Sequence, residues 1–320
     1  MSYCQTEQRL LDAVRATVAY ADVFDFPLDV EEIQRDLVSM VATPAETRQG
    51  VALLVNSGAL ALDQGYPVLP GREGLARLRQ ERQRRAAALW PLATRYGRWL
   101  AALPFVQMVA VSGSLAANNP DPRADLDYLI VTVPGRLWLV RALAIVLVRF
   151  ARRRGVQLCP NYLLTTNVLA LNRCDLYTAH ELLQAEPIAG LATYQELLAR
   201  NAWAAAWLPN RYQLQRARTD ERRTAVFMRR AGEFALGGAL GDRLEAWEGA
   251  RKQARFSGGN GRYTSDMCEG YTEQTRQRVL GTLAARCAEL GIPLPTLADL
   301  EDDTAMHVPA KSWAEAVAAV

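Results

Sequence analysis

The sequence predicts an α+β protein in which a few buried strands in mid-chain lie between two largely helical regions. Two short valine-rich runs, 106–111 and 126–133, are apolar almost throughout, and a glycine turn stops the first one early, as is typical of buried strands. Residues 7–22 repeat apolar side chains at helical spacing, and the long segment 218–290 is also helical in pattern.

Residues 1–73 are predicted to form a small domain that resembles a winged helix-turn-helix. After the first helix, Asp29 can cap a second one, and Thr43, which precedes a proline, is typical of the start of a third. Residues 59–72 then alternate and turn like a two-stranded wing. In a DNA-binding version the third helix would contact DNA, but Arg48 is its only basic residue. Nucleic-acid binding is therefore possible but not favoured.

Residues 74–104 are predicted to be a helical linker between this domain and the strands. The segment is expected to consist of two helices, with the second one beginning after Pro91, because proline usually ends a helix. The arginines of the linker are interpreted as a solvated helix face.

The most informative motif is a serine-glycine-serine turn followed at a fixed distance by two aspartates. Ser112, Gly113 and Ser114 follow the first strand, and ten residues separate Ser114 from Asp125, which precedes Asp127 by two positions. Side chains alternate along a strand, so the two carboxylates point the same way, roughly 7 Å apart, and repel each other. Magnesium relieves such repulsion and prefers a few carboxylates plus phosphate oxygens. The glycine lets a ligand approach the backbone, and Ser114 with the free N–H groups of a following helix can hold phosphate.

This pattern resembles the DNA polymerase beta-like nucleotidyltransferase superfamily, whose signature is a hydrophobic strand, Gly-Ser, about ten residues and Asp-hydrophobic-Asp. The resemblance in motif residues covers only the stretch 109–132. It implies a nucleotidyltransferase core, a small mixed sheet with flanking helices, which we place at 105–190. It also implies that Ser114 binds the triphosphate of an NTP and that Asp125 and Asp127 hold two magnesium ions.

The predicted third strand, 156–165, lacks the carboxylate that the superfamily often carries there as general base. Asn161 is the polar residue nearest to the expected place, and it can bind a metal or an acceptor but cannot take a proton. Three interpretations stay open: the acceptor needs no strong base, a carboxylate such as Asp175 or Glu181 substitutes, or the nucleotide is bound without turnover. The neighbouring His180 is either a proton donor or acceptor beside the site, or a hydrogen-bonded helix histidine.

Residues 191–292 are predicted to form a helical domain that is followed by a tail, 293–320, rich in proline, aspartate and alanine. Within the domain, one continuous helix is expected from Ser265 onward. A further alternative makes this domain the interface of a structural or toxin–antitoxin partner protein.

The segment 256–263 contains three glycines but lacks the lysine-serine or lysine-threonine ending of a phosphate-binding loop. It is therefore interpreted as a flexible loop that can close over substrate. Lys252 and Arg262 are candidates for supplying positive charge to the triphosphate or to the pyrophosphate leaving group.

The amino-acid composition limits which partners and which cellular compartment are expected. Only two of the 37 basic residues are lysines, Lys252 and Lys311, so the arginine-rich bias and the net charge of +3 give no nucleic-acid signal. Five scattered cysteines without a CxxC pattern argue against a zinc site and favour a reducing cytoplasm. The most apolar helix, 137–150, has 14 residues and contains Arg141, which predicts a buried helix and no membrane span.

These observations together predict a cytoplasmic, Mg²⁺-dependent nucleotidyltransferase that moves an NMP from an NTP to a small-molecule or protein acceptor and releases pyrophosphate. In this prediction Ser112, Gly113 and Ser114 hold the β- and γ-phosphates. The alternative is a catalytically degenerate, nucleotide-binding regulator with a DNA-binding winged helix.

Overall fold

The computed structural model describes residues 3–215, 224–256, 262–270 and 272–294. Within them the chain is a mixed α+β protein, with a small mixed sheet and flanking helices, as predicted. Most of the glycine-containing loop at 256–263 and nearly all of the predicted tail lie outside the described residues.

Three helices and a hairpin form the N-terminal part of the molecule. They are α1 (Tyr3–Asp22), α2 (Val30–Arg35), α3 (Pro44–Asn56), β1 (Ala61–Asp63) and β2 (Tyr66–Val68). Asp29 and Thr43 are the N-caps of α2 and α3, as predicted, and each belongs to a capping box. The side chain of Asp29, for example, accepts a hydrogen bond from the N–H of Glu32 at 2.8 Å.

A single long helix, α4 (Leu75–Ala101), connects this part to the sheet, so the prediction of a break at Pro91 is wrong. Proline removes an N–H donor and crowds the carbonyl four residues earlier, on Ala87. Both residues are exposed, so water can satisfy the freed carbonyl. The opposite side of α4 is buried at Ala93, Tyr96 and Leu100, and this packing keeps the helix continuous.

A six-stranded mixed sheet forms the middle of the described chain. Its strands are β3 (Val106–Val111), β4 (Leu126–Thr132), β5 (Leu158–Thr165), β6 (Glu186–Ala189), β7 (Arg262–Tyr263) and β8 (Met267–Glu269). They are arranged in the order β6-β3-β4-β5-β8-β7. The β4–β5 pair is parallel, and the other neighbouring pairs are antiparallel.

The sheet takes one of its strands from a segment that was predicted to be helical. The expected helix beginning at Ser265 is wrong over about its first two turns, because β8 pairs with β5 and the helix begins only at Thr272. Backbone hydrogen bonds to β5 decide the conformation of this three-residue segment, which is too short to carry a periodic signal.

Helices cover both faces of the sheet. They are α5 (Gly113–Ala116), α6 (Leu137–Arg152), α7 (Leu176–Gln184), α8 (Leu191–Arg200), α9 (Ala204–Trp207), α10 (Pro209–Leu214), α11 (Thr224–Leu236), α12 (Ala239–Phe256) and α13 (Thr272–Glu289). Tyr128 and Ile130 of β4 face a core shared with α4 and α6, whereas Leu129 and Val131 face a core shared with α1, α7, α8 and α13. By the alternation of strand side chains, Asp127 lies on the Leu129 face.

None of the helices in the described residues combines the length and apolar character of a membrane span. The most apolar of them, α6, is buried at Trp138 and Val140 against the sheet.

A buried ion pair joins the N-terminal part to α10. The carboxylate of Asp36, 3% exposed, is paired with the guanidinium groups of both Arg211 and Arg35. Arg211 also donates from Nε to the carbonyl oxygen of Leu183, at 3.0 Å. Burial alone would raise the pKa of Asp36, but the two arginines outweigh it and lower that pKa to about 2.

We expect Asp36→Asn to lower the free energy of unfolding by about 3–5 kcal/mol at neutral pH, because buried Arg211 loses its counter-ion. The folded-state pKa of Asp36 lies below the unfolded value of about 3.9, so this stabilisation is present above about pH 4. It is lost as the pH falls towards 2, and the difference between variant and wild type should shrink there. Urea unfolding across this range measures it. Exposed Glu31→Gln is the control, and equal stability of Asp36→Asn and wild type at neutral pH would contradict the prediction.

Candidate functional site

The backbone of the glycine turn lies directly against the carboxylate of Asp127. Gly113 has a φ of +64°, in the left-handed region that favours glycine. A Cβ at this position would lie 2.5 Å from Asp127 Oδ2. The N–H of Ser112, the N-cap residue of α5, donates to the backbone carbonyl of Asp127 at 3.0 Å. The turn and the strand are thus fixed to each other, and position 113 has no room for a side chain.

Asp127 is partly buried, and its surroundings disfavour its charge. Burial raises the pKa of Asp127 to about 6, the charge of Asp125 adds to the rise, and a hydrogen bond with Cys159 opposes it. Asp125 lies immediately before β4, and Cys159 is the register partner of Asp127 on β5. Burial raises the pKa of the Cys159 thiol to about 12, so the thiol keeps its proton. A divalent cation would relieve this repulsion between the two aspartates.

A cavity of about 440 Å³ opens at Gly113, Ser114 and Asp127; we call it the larger cavity. Its volume falls within the range of roughly 300–1,000 Å³ that is usual for small-molecule sites. The opposite wall comes from the N-terminal part of the chain and includes the aromatic side chains of Tyr20 and Phe24.

Glu181 on α7 brings a third carboxylate to the larger cavity. Burial and, to a smaller extent, the charge of Asp127 together raise the pKa of Glu181 to about 7, so the two carboxylates are close enough to repel each other. Tyr177, Glu181 and Gln184 line the cavity from one side of α7, at spacings of four and three residues. The helical spacing of these three polar side chains is the sequence pattern from which they could have been identified together.

Asp175, the other carboxylate that the sequence offered as a substitute base, has a structural role. It is the N-cap of α7, where its Oδ1 accepts a hydrogen bond from the N–H of Thr178 at 2.9 Å. Its Oδ2 is 2.6 Å from the guanidinium of Arg276.

Asn161 occupies an irregular position in β5, two residues after the register partner of Asp127. On β4, Tyr128 pairs with Pro160 and Leu129 pairs with Tyr162, so Asn161 is an inserted residue in β5. Asn161 lines the larger cavity together with Asp127.

His180 is buried in the wall and stacks on Tyr20, with ring centroids 4.0 Å apart. Its Nδ1 is 3.1 Å from Nε2 of Gln184. Burial lowers the pKa of His180 to about 3, so the ring is neutral near pH 7 and is a poor proton donor. The geometry agrees with the structural interpretation of this histidine.

The structure does not bring Lys252 to the cavity. Helix α12 packs on α6, on the sheet face opposite Asp127, and there Lys252 Nζ lies 3.8 Å from Glu248. For Arg262 the described part is the backbone, at the start of edge strand β7. Arg35 and Arg211, which the sequence did not single out, line the larger cavity instead.

No protein-family model matches the sequence, and comparisons with curated proteins and with solved structures gave no significant match. The resemblance to nucleotidyltransferases therefore depends on the motif residues and on the geometry around them.

The residues around Asp127 fit a divalent cation that takes part of its ligands from a substrate. Among the described residues, no group of three or more His, Cys, Asp or Glu side chains is arranged to hold a metal ion. Asp125 and Asp127 offer two carboxylates, and the absence of a side chain at Gly113 lets the Asp127 carboxylate lie against the turn. Magnesium commonly uses one or two carboxylates and completes its shell with phosphate oxygens and water.

The resemblance implies that Mg·ATP binds at this turn, and on that basis we expect Gly113→Ala to weaken its binding by about tenfold or more. This loss corresponds to about 1.4 kcal/mol, and it arises because the new methyl group displaces the Asp127 carboxylate. Calorimetric titration measures the affinity. Gly135→Ala is a matched control, since Gly135 has a φ of +70° and open space around its Cβ position. Both variants carry a backbone strain of about 1–3 kcal/mol, so equal affinities in the two would contradict the role of the contact.

Proposed function

We propose that this protein is a Mg²⁺-dependent nucleotidyltransferase that moves an NMP from an NTP to a small-molecule or protein acceptor and releases pyrophosphate. The observation that carries the proposal is the contact of Gly113 with the Asp127 carboxylate, at a cavity that Glu181 also lines. A glycine turn for phosphate, a carboxylate pair for a cation and a further carboxylate for a proton are the parts this reaction needs.

The proposal includes the domain arrangement that the resemblance implies. Residues 1–73 would be a winged-helix-like domain, and their order of three helices and a hairpin is consistent with it. Residues 105–190 would be the nucleotidyltransferase core, joined to the first domain by the linker 74–104. The helical domain at 191–292 would follow, with β7 and β8 extending the sheet of the core.

In this scheme the triphosphate lies along the glycine turn. The backbone at Gly113 and the side chain of Ser114 face the larger cavity and would hold its oxygens. Asp125 and Asp127 would hold magnesium. When bound, magnesium neutralises charge on the phosphates and on the leaving pyrophosphate.

Glu181 and Asn161 would act on the acceptor. Glu181 can take the proton of the attacking hydroxyl group, and its raised pKa suits a general base near neutral pH. Asn161, which lines the cavity beside Glu181, can orient the acceptor through its amide. Catalysis would then consist of positioning and charge neutralisation.

The alternative of a DNA-binding regulator has less support. The exposed side of α3, the helix that would contact DNA, carries Arg48 and Glu46, and Glu46 is engaged in the capping box of Thr43. Specific DNA binding needs several phosphate contacts from cationic groups. Glu181 also supplies the carboxylate whose absence from β5 motivated a degenerate site.

We expect Asp127→Asn to reduce NMP transfer at least 100-fold, which corresponds to about 2.7 kcal/mol of transition-state stabilisation, while the fold stays near normal. Pyrophosphate release from each labelled NTP, in the presence of Mg²⁺ and a metabolite or protein extract, measures the reaction. Exposed Asp121→Asn is the control, and unchanged turnover in Asp127→Asn would contradict the proposed nucleotidyltransferase function.

Glu181→Gln is expected to lower kcat by about 10²–10⁴-fold, the usual contribution of a general base. The affinity for Mg·ATP should stay close to that of wild type, because the amide keeps the size of the side chain and removes a negative charge. Exposed Glu196→Gln on α8 is the control. If Glu181→Gln turned over at the wild-type rate, the proton would have another acceptor.

A further inference from the structure

A second and smaller cavity, of about 100 Å³, lies on the same sheet face as Asp127. Its walls are mostly apolar and come from the sheet, from α7 and α8, and from the segment before α7: Leu129, Leu164, Leu171, Leu182, Leu197 and Met267. We call it the leucine cavity. Asn161, Tyr177 and Glu181 line both this cavity and the larger one, so the two meet at these side chains.

The volumes of the two cavities indicate which substrate each of them can hold. The leucine cavity is smaller than the roughly 150 Å³ that holds a benzene molecule, so it cannot take a nucleotide. Gly113, Ser114 and Asp127 line only the larger cavity, which has the volume for an NTP. A group in the leucine cavity would reach the reacting atoms from the side of Glu181.

The arginine side chains that line the leucine cavity form ion pairs with neighbouring carboxylates. The guanidinium of Arg173 lies 2.5 Å from Glu269 and 2.7 Å from Glu273. Arg276 lies 2.6 Å from Asp175 and 2.7 Å from Glu273. A charged ligand group would have to break these ion pairs, whereas an uncharged apolar group leaves them intact.

We propose that the leucine cavity is the acceptor subsite, and that it takes a hydroxyl group carried on a small, uncharged, apolar body. This inference rests on the proposed function. The acceptor oxygen forms a bond to the α-phosphorus, and the bond from that phosphorus to the oxygen bridging the β-phosphate breaks. Pyrophosphate leaves with the electron pair of that bond, and the hydroxyl proton passes to Glu181.

The test uses the full chain with butan-1-ol as the probe and glycerol as a polar comparison. We expect saturation-transfer NMR signals from butan-1-ol but not from glycerol. The butan-1-ol signal should persist at saturating Mg·ATP, because the nucleotide occupies the other cavity. A butan-1-ol signal that Mg·ATP displaces, or that glycerol equals, would overturn the proposal.

Variants that fill the leucine cavity provide the second arm. Leu171→Trp should weaken butan-1-ol binding about tenfold or more while leaving the affinity for Mg·ATP unchanged. Leu53→Trp, on α3 at a position 39% exposed and outside both cavities, is the matched control. Met267→Phe fills the same cavity from β8 and replaces the first variant if that one fails to fold. Undiminished binding in a folded filling variant would overturn the proposal.

An assay of the reaction tests the acceptor subsite and the proposed function independently of each other. Formation of butyl-AMP from labelled ATP by wild type, but not by Leu171→Trp, would support the acceptor subsite. A protein that transfers AMP to another acceptor while bound butan-1-ol stays unreacted would refute it. If no NTP releases pyrophosphate, the proposed function fails, and the binding measurements still decide whether the cavity takes an apolar alcohol.

Discussion

Repulsion among carboxylates in a poorly solvated space is the constraint on which the arrangement of this site depends. Burial raises the pKa of Asp127 and of Glu181, the charge of Asp125 adds to the rise for Asp127, and the charge of Asp127 adds to the rise for Glu181. Such a cluster costs folding energy when it is fully ionised, and a bound cation would recover that cost. Two neighbours of Asp127 are compatible with this constraint: the thiol of Cys159 donates a hydrogen bond to the carboxylate, and Gly113 has no side chain that would collide with it.

The N-terminal part of the chain has a direct role in shaping the larger cavity. Tyr20 and Phe24 form a wall of it, and the buried pair of Asp36 with Arg211 fixes that wall to α10. Asn119, in the segment between α5 and β4, donates from its side chain to the carbonyl of Phe24 at 3.1 Å. The N-terminal part therefore forms one side of the larger cavity.

The sequence predicts those features whose causes are local. The caps at Asp29 and Thr43 and the Gly113 turn depend on a few adjacent residues, so the pattern alone identifies them. The missed features depend on distant parts of the chain. Strand β8 exists because β5 offers hydrogen bonds, and α4 stays continuous at Pro91 because its other side is buried.

The same distinction explains the outcome for the site residues. Asp127 lies on β4 and Asp125 lies immediately before it, so the relation between them follows from the alternation of side chains along extended backbone. Glu181 was one of two distant carboxylates that the sequence could not rank, because only the packing of α7 on the sheet brings it to Asp127. Lys252 was chosen for its charge, and the face of the sheet on which α12 packs is not encoded in its neighbours.

The contacts that fix the wall of the larger cavity span much of the chain length. Asp36 and Arg211 are 175 positions apart, and Arg15 donates to the carbonyl of Leu290 across 275 positions. During synthesis the N-terminal helices must therefore wait for most of the protein before they can dock. Long-range contacts of this kind form late, because loop closure must come first. A nascent chain would hold the glycine turn and both aspartates well before it has an enclosed cavity, so the larger cavity would form only when folding is nearly finished.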